Sequence, residues 1–294
     1  MKKTKTSALT LKNDILFQEL FAKKGNEYLL KSFLKSLLTD FHIHKVTVAK
    51  QVNLPRSEFS EKLSILDLKA TLDENTIVNL EMQRVKDNYI IPRATYYSSK
   101  ILANELQASQ NYSSLKKVIT IVFLDYVIFP HKGYITETKL IDKCHKDQEL
   151  NEYQKYYFIE LPKFRKEKLN LDDPLSAWLT FIDGENKEGV KKVMEKYFDI
   201  KKAMKELEYL TGDEEKRKIA DLKERAILDY NSHMRTSFED GQLKGEKRGL
   251  KKGKIEMIMQ MLRKKMDLKL ITELSGFSEN EIRKIELQNS KLKC

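Results

Sequence analysis

Two short alternating segments, separated by three turn-forming residues, constrain this chain more than any other part of its sequence. Residues 63–72 read LSILDLKATL and residues 76–84 read TIVNLEMQR, with Asp73-Glu74-Asn75 between them. Asp and Asn side chains bond to nearby backbone and tolerate turn conformations, so the triplet predicts a tight hairpin. Side chains on a strand alternate between faces. Leu66, Leu68, Ala70 and Leu72 therefore share one face with Val78, Leu80 and Met82, while Asp67, Lys69, Asn79, Glu81 and Gln83 share the other. A hairpin centred on Glu74 puts Asp67 opposite Glu81. Directly paired residues have Cβ atoms about 4.5–5.5 Å apart, and like charges there are destabilising. A divalent cation is the simplest offset, because hard ions such as Mg²⁺ bind through one or two carboxylates and keep waters.

Such a site suits phosphodiester hydrolysis, which needs an activated water and positive charge at the phosphoryl oxygens. Asp67 and Glu81 are the candidate metal ligands. Gln83, two residues along the same face, can orient water or touch phosphate, and Lys69 can stabilise developing charge. Asp14 offers a third carboxylate, although an acid at a helix start is also favoured by the helix dipole alone. On spacing alone, a solvated strand face with alternating charges explains the hairpin residues better. Further on, Arg93, Tyr96, Tyr97 and Lys100 fall at helical i, i+3, i+4 and i+7 spacing and project from one side. Arg93, Tyr97 and Lys100 are candidate phosphate contacts, with core packing of the tyrosines as the competing reading. His42 and His44 lack a third metal ligand nearby and read as surface histidines.

The surrounding pattern is mixed. Helices are expected to begin at Asp14, capped by Asn13, and to cover residues 27–38. A strand is expected over residues 45–52, then the hairpin, and then a helix over residues 87–109 with Pro92 in its first turn. Buried or edge strands are expected over residues 117–129, 134–141 and 153–161. This order describes a sheet covered by helices. A boundary near Asp172 divides residues 9–172 from a mostly helical region, residues 173–294.

With 294 residues, 40% of them hydrophobic, the chain can bury a sizeable core. Only 10 Gly and 5 Pro interrupt it, which favours long helices. The net charge is +11, and residues 241–269 alone hold ten Lys or Arg against three Asp or Glu. Such a stripe suits a polyanion, nucleic acid above all, or serves as a solubilising helix face. Gly241, Gly245, Gly249 and Gly253 recur every fourth residue there, which suggests a close-packed or pliable helix. The Lys content excludes a membrane GxxxG helix. Residues 267–277 read as a short helix and glycine turn, and Ser278 to Glu281 form a capping box opening a last helix. The pair suits a helix-turn-helix-like unit or a helical hairpin for protein contacts. Cys144 and Cys294 form no zinc or disulfide framework. No apolar stretch follows the basic N-terminus and none is long enough to span a membrane, so a cytoplasmic protein without membrane contact is expected.

The residues Asn13-Asp14, Phe17 and Phe21, Leu66-Asp67-Leu68, Glu81-Met82-Gln83, Arg93 with Tyr96-Tyr97, and Val118-Ile119-Thr120-Ile121 together resemble the Rpn family. These are recombination-promoting nucleases, also described as transposases, of the PD-(D/E)XK superfamily. The resemblance covers roughly residues 9–165, and the basic Gly-repeat segment is similar to the family's C-terminal part. It implies an α/β, restriction-endonuclease-like mixed sheet flanked by helices, with DNA cleavage dependent on Mg²⁺ or Mn²⁺ and with homo-oligomers common. Asp67 then matches the motif aspartate, Glu81 the (D/E), Gln83 the usual lysine and Asp14 the acid of the first helix. Leu66 stands at the motif proline, and with Lys absent at position 83, Lys69 or Lys100 becomes the substitute cation. The alternative is a catalytically lapsed nuclease fold that binds DNA or protein.

Overall fold

The computed structural model describes residues 10–49, 68–106, 110–145 and 148–290. They form a six-stranded mixed sheet with helices on both faces. The elements run α1 (Asp14–Ala22), α2 (Glu27–Leu37), β1 (Val46–Val48), β2 (Leu68–Leu72), β3 (Thr76–Gln83), α3 (Ile90–Ala103), β4 (Lys117–Leu124), β5 (Ile135–Ile141), β6 (Glu149–Glu160), α4 (Leu161–Phe164), α5 (Pro174–Asp183), α6 (Lys187–Lys196), α7 (Phe198–Gly212), α8 (Glu214–Arg263), α9 (Leu268–Ser275) and α10 (Glu279–Ser290). Strand order is β1-β2-β3-β4-β6-β5. The central pairs β3–β4 and β4–β6 are parallel, and the outer pairs are antiparallel. Parallel strands need a crossover, and α3 supplies the one between β3 and β4. The architecture is restriction-endonuclease-like, as the sequence led us to expect.

The hairpin has the expected register. Leu68 pairs with Leu80, Lys69 with Asn79 and Leu72 with Thr76. Asp73 and Glu74 turn the chain with φ of 46° and 68°, and the Asp73 carboxylate fixes the turn by accepting the His44 and Lys45 amides. Residues 63–67 of the expected first strand, Asp67 among them, lie outside the described residues. The apolar face behaves as read: Leu68, Ala70, Leu72, Val78, Leu80 and Met82 join Ile119, Ile121 and Phe123 of β4 in the main core. Onto it pack Leu16, Phe17, Leu20 and Phe21 of α1, the α2 stripe Leu29, Leu30, Phe33 and Leu34, and Trp178 of α5. Asn13 caps α1 by accepting from the amides of Ile15 and Leu16.

The second face departs from expectation. It is not solvated along β3: Asn79 and Glu81 are 2% and 1% exposed. The reason is α3, whose Ile90 and Ala94 pack on Val122, Leu124 and Phe158 and close that side of the sheet. Pro92 does lie in the first turn of α3, where its missing N–H would be unsatisfied anyway.

The described chain divides into two compact units, Met1–Ile227 and Leu228–Cys294. Helices α5 to α7, grouped by sequence with the C-terminal region, belong to the first and supply Trp178, Leu179, Phe181, Ile200 and Leu207 to its core. The second contains the end of α8 with α9 and α10, joined by a small core of Ile258, Ile271, Ile282 and Ile285. Gly276 ends α9 at φ 71°, and the capping box forms, with Ser278 N donating to Glu281 Oε2 at 2.9 Å and Glu281 N to Ser278 Oγ at 3.4 Å. The four spaced glycines sit inside α8, each with nothing within 4 Å of where a Cβ would stand. Close packing among the described residues therefore does not account for them. In an exposed helix each disfavours the fold by about 1 kcal/mol relative to Ala.

Candidate active site

Glu81 is the centre of the polar cluster. Strand β3 carries it in mid-sheet, opposite Val122 of β4, and α3 covers it. An isolated buried carboxylate is strongly disfavoured unless it is paired and hydrogen-bonded. Here Arg93 Nη2 donates to Glu81 Oε1 at 2.6 Å, and Gln83 Nε2 donates to the same oxygen at 2.8 Å. Arg93 Nη1 lies 3.0 Å from Asp87 Oδ2, so the guanidinium bridges Glu81 of the strand and Asp87 of the segment that leads into α3. Burial raises the pKa of Glu81 above the ordinary glutamate value of 4.5. Arg93 and then Gln83 oppose the shift, and Asp87 adds to it. Beside them the Tyr126 hydroxyl is buried and its pKa is pushed up to about 12, chiefly by that burial.

The structure brings together some of the expected site residues and separates others. Glu81, Gln83 and Arg93 meet, but Arg93 faces Glu81 as its counter-ion and was expected to face a phosphate. The electrostatic offset ascribed in sequence to a cation is thus supplied, for Glu81, by a side chain. Lys69 turns to Glu105, 3.2 Å away, which also binds Lys116 at 3.3 Å, so its charge is engaged away from Glu81. Tyr97 is half-buried and Lys100 exposed on α3, while Tyr96 stacks edge-on against Tyr97 at 5.3 Å. Asp14 opens α1 and accepts the Ile15 amide at 2.9 Å. Among the described residues no three His, Cys, Asp or Glu side chains gather as a metal-binding group.

Sequence reading missed a second charged cluster at the adjacent strand end. The Asp125 amide donates to the Gln83 carbonyl at 2.9 Å, which sets the start of the post-β4 loop beside the site strand. Lys12, 4% exposed, lies 3.4 Å from Asp125, 3.7 Å from Asp183 and 2.5 Å from Glu185. Arg165 binds Asp183 at 2.6 Å and also Asp125. The cluster ties the approach to α1 to the ends of β4, α4 and α5. No local motif marks it, because its members are up to 173 residues apart.

The donor chemistry at Glu81 fits a hard divalent cation in kind: a carboxylate and the side-chain oxygen of Gln83, two residues along one strand face. All direct hydrogen bonds to the Glu81 carboxylate among the described residues fall on Oε1. In charge, Arg93 competes for the same group, so a cation there requires the guanidinium to give way or to share Glu81.

A family model described as PD-(D/E)XK nuclease family transposase matches residues 11–237. Neither a curated protein nor a solved structure matches the chain. The match takes in the whole sheet, α3 with Arg93, and the helices that complete the first core.

Proposed function

We propose, because this chain belongs to the PD-(D/E)XK nuclease family transposases, that it is a metal-dependent DNA endonuclease acting in recombination or on mobile DNA. The observation that carries the reading is the burial of an acid, Glu81, in the middle of the sheet with two donors trained on one of its oxygens. Structural economy would place an apolar residue there, since replacing buried ion pairs by well-packed apolar groups is often stabilising. Asp67 and Glu81 would hold Mg²⁺ or Mn²⁺. Such an ion, when bound, supplies positive charge at the phosphoryl oxygens and acidifies a water.

The protein's own groups do the rest. Glu81 must be ionised, and Arg93 favours that form. Gln83, at the position of the family's lysine, orients a water through its amide but cannot stabilise charge as lysine does. Arg93 takes that role when it leaves Glu81 Oε1 for a phosphate, with Lys100 and Tyr97 holding the neighbouring backbone. Asp14 contributes field and alignment from the start of α1. The test is nicking of supercoiled plasmid in Mg²⁺, with EDTA and Glu81→Ala as controls. Cleavage that stops with EDTA and falls by at least about 10²-fold in the variant is expected. Equal nicking by both proteins removes Glu81 from the reaction.

Two observations favour a second reading, a lapsed nuclease fold that binds DNA or protein: Arg93 already neutralises Glu81, and the lysine position holds Gln83. It predicts salt-dependent DNA binding without cleavage. Metal-dependent cleavage abolished by Asp67→Ala would eliminate it.

A further inference from the structure

Within the second unit, α8 presents Lys244, Lys247, Arg248, Lys251 and Lys254 on one face. Their i, i+3, i+4, i+7 and i+10 spacing lines them along one side of the helix over about 15 Å. All five are exposed. Elsewhere α8 balances its charge within the helix, as in Lys218 with Glu214 at 2.7 Å and Arg235 with Glu239 at 3.0 Å. Among the described residues none of the five makes an ion pair. Lys254 Nζ lies 6.0 Å over the Phe277 ring, and Lys251 contributes only a distant field to Glu281.

The glycine row starts at the edge of this face, with Gly241 and Gly245 next to Lys244 and Arg248, and then winds away, because four residues overshoot a 3.6-residue turn. Gly241, Gly245 and Gly249 each sit three residues before a cation, Lys244, Arg248 and Lys252. Each lowers helix propensity relative to alanine, and among the described residues nothing beyond the helix's own adjoining turns comes within 4 Å of the missing Cβ atoms. The bare backbone is therefore open to a partner from outside. A second copy of the same helix would bring five more cations against these five, with Glu246 the one acid of residues 241–254. A polyanion meets no such repulsion.

We infer that this face of α8 is a docking surface for the phosphate backbone of duplex DNA, with Gly241 and Gly245 at its edge admitting the backbone close to the helix and the cations pairing with phosphates. The inference rests on DNA being the substrate, and it adds a binding surface separate from the Glu81 site.

The experiment measures binding of the full chain to a fluorescent 30-base-pair duplex by anisotropy in EDTA, across a salt series. The variant Lys244→Gln, Lys247→Gln, Arg248→Gln, Lys251→Gln, Lys254→Gln should bind at least tenfold more weakly at low salt. The slope of log affinity against log salt should flatten by roughly 3–4.5, from about 0.9 per lost phosphate contact. A second variant, Gly241→Ala with Gly245→Ala, keeps every charge and favours the helix. It should nevertheless bind several-fold more weakly. An unchanged affinity and slope in the five-residue variant overturns the inference. So does a glycine variant that alters the mass in solution while leaving DNA binding alone, which would assign the face to a second copy. Because EDTA suppresses cleavage, a failure of the nuclease reading shows in nicking, not in this slope.

Discussion

Glu81 and Arg93 make a pair whose two members are worth different amounts to function. The glutamate is needed ionised for any cation, yet burial raises its pKa above 4.5. The folded chain therefore binds this proton more readily than the unfolded chain. This group's stabilisation is full below pH 4.5 and is lost as pH rises through the folded value. Activity runs the opposite way. The acid limb of a pH–rate profile should lie above pH 4.5, since the ionised form appears only there. Arg93 is the strongest of the groups opposing the shift, so Arg93→Met should move the limb to still higher pH, besides weakening catalysis by about 10²-fold if the guanidinium also serves the phosphate. A limb that stays in place in Arg93→Met would show that the two residues are not coupled in the active protein. Lys69→Met, by contrast, should leave the limb where it is, because that lysine spends its charge on Glu105.

At the scale of elements, the hairpin was readable because a strand's side chains alternate strictly. A slip of one residue would have exposed Leu68, Ala70 and Leu72. The register followed from that pattern and from the triplet at residues 73–75. The burial of Glu81 did not follow, because it depends on how α3 and β4 pack against β3, which no local pattern encodes. Arg93 was singled out by its helical spacing, but its contact with Glu81 was not foreseen, since spacing shows which residues share a side and not what that side faces. Two changes test the local account. Glu74 holds φ 68°, a region where a Cβ is disfavoured, so Glu74→Gly should stabilise the chain by about 0.5–1 kcal/mol in urea unfolding. Asn13 caps α1 and donates to the Ala220 carbonyl at 3.2 Å. Asn13→Ala should therefore cost about 1–2 kcal/mol, a Tm lowered by about 3–6 °C for a unit of this size.

At the scale of the whole molecule, the division at Ile227 places α5 to α7 within the first core. Composition gave no sign of this, because the charged outer faces of α6 and α7 resemble the charged α8 that follows. The buried residues Val190, Val193, Ile200, Ala203 and Leu207 show the difference only once their helices are seen against Trp178 and α1. A fragment of residues 1–237 should unfold cooperatively in urea at nearly the denaturant midpoint of the first unit in the full chain. One ending at residue 172 should not fold, having lost Trp178 and its neighbours. No described helix is long and apolar enough to cross a membrane. Whether buried Glu81 is the carboxylate of a cation-dependent site can be read from calorimetric titration of Mn²⁺ into wild type and Glu81→Gln. Saturable binding in wild type that weakens by at least about tenfold in the variant, with the fold intact by circular dichroism, is the predicted result. Superimposable isotherms would contradict it.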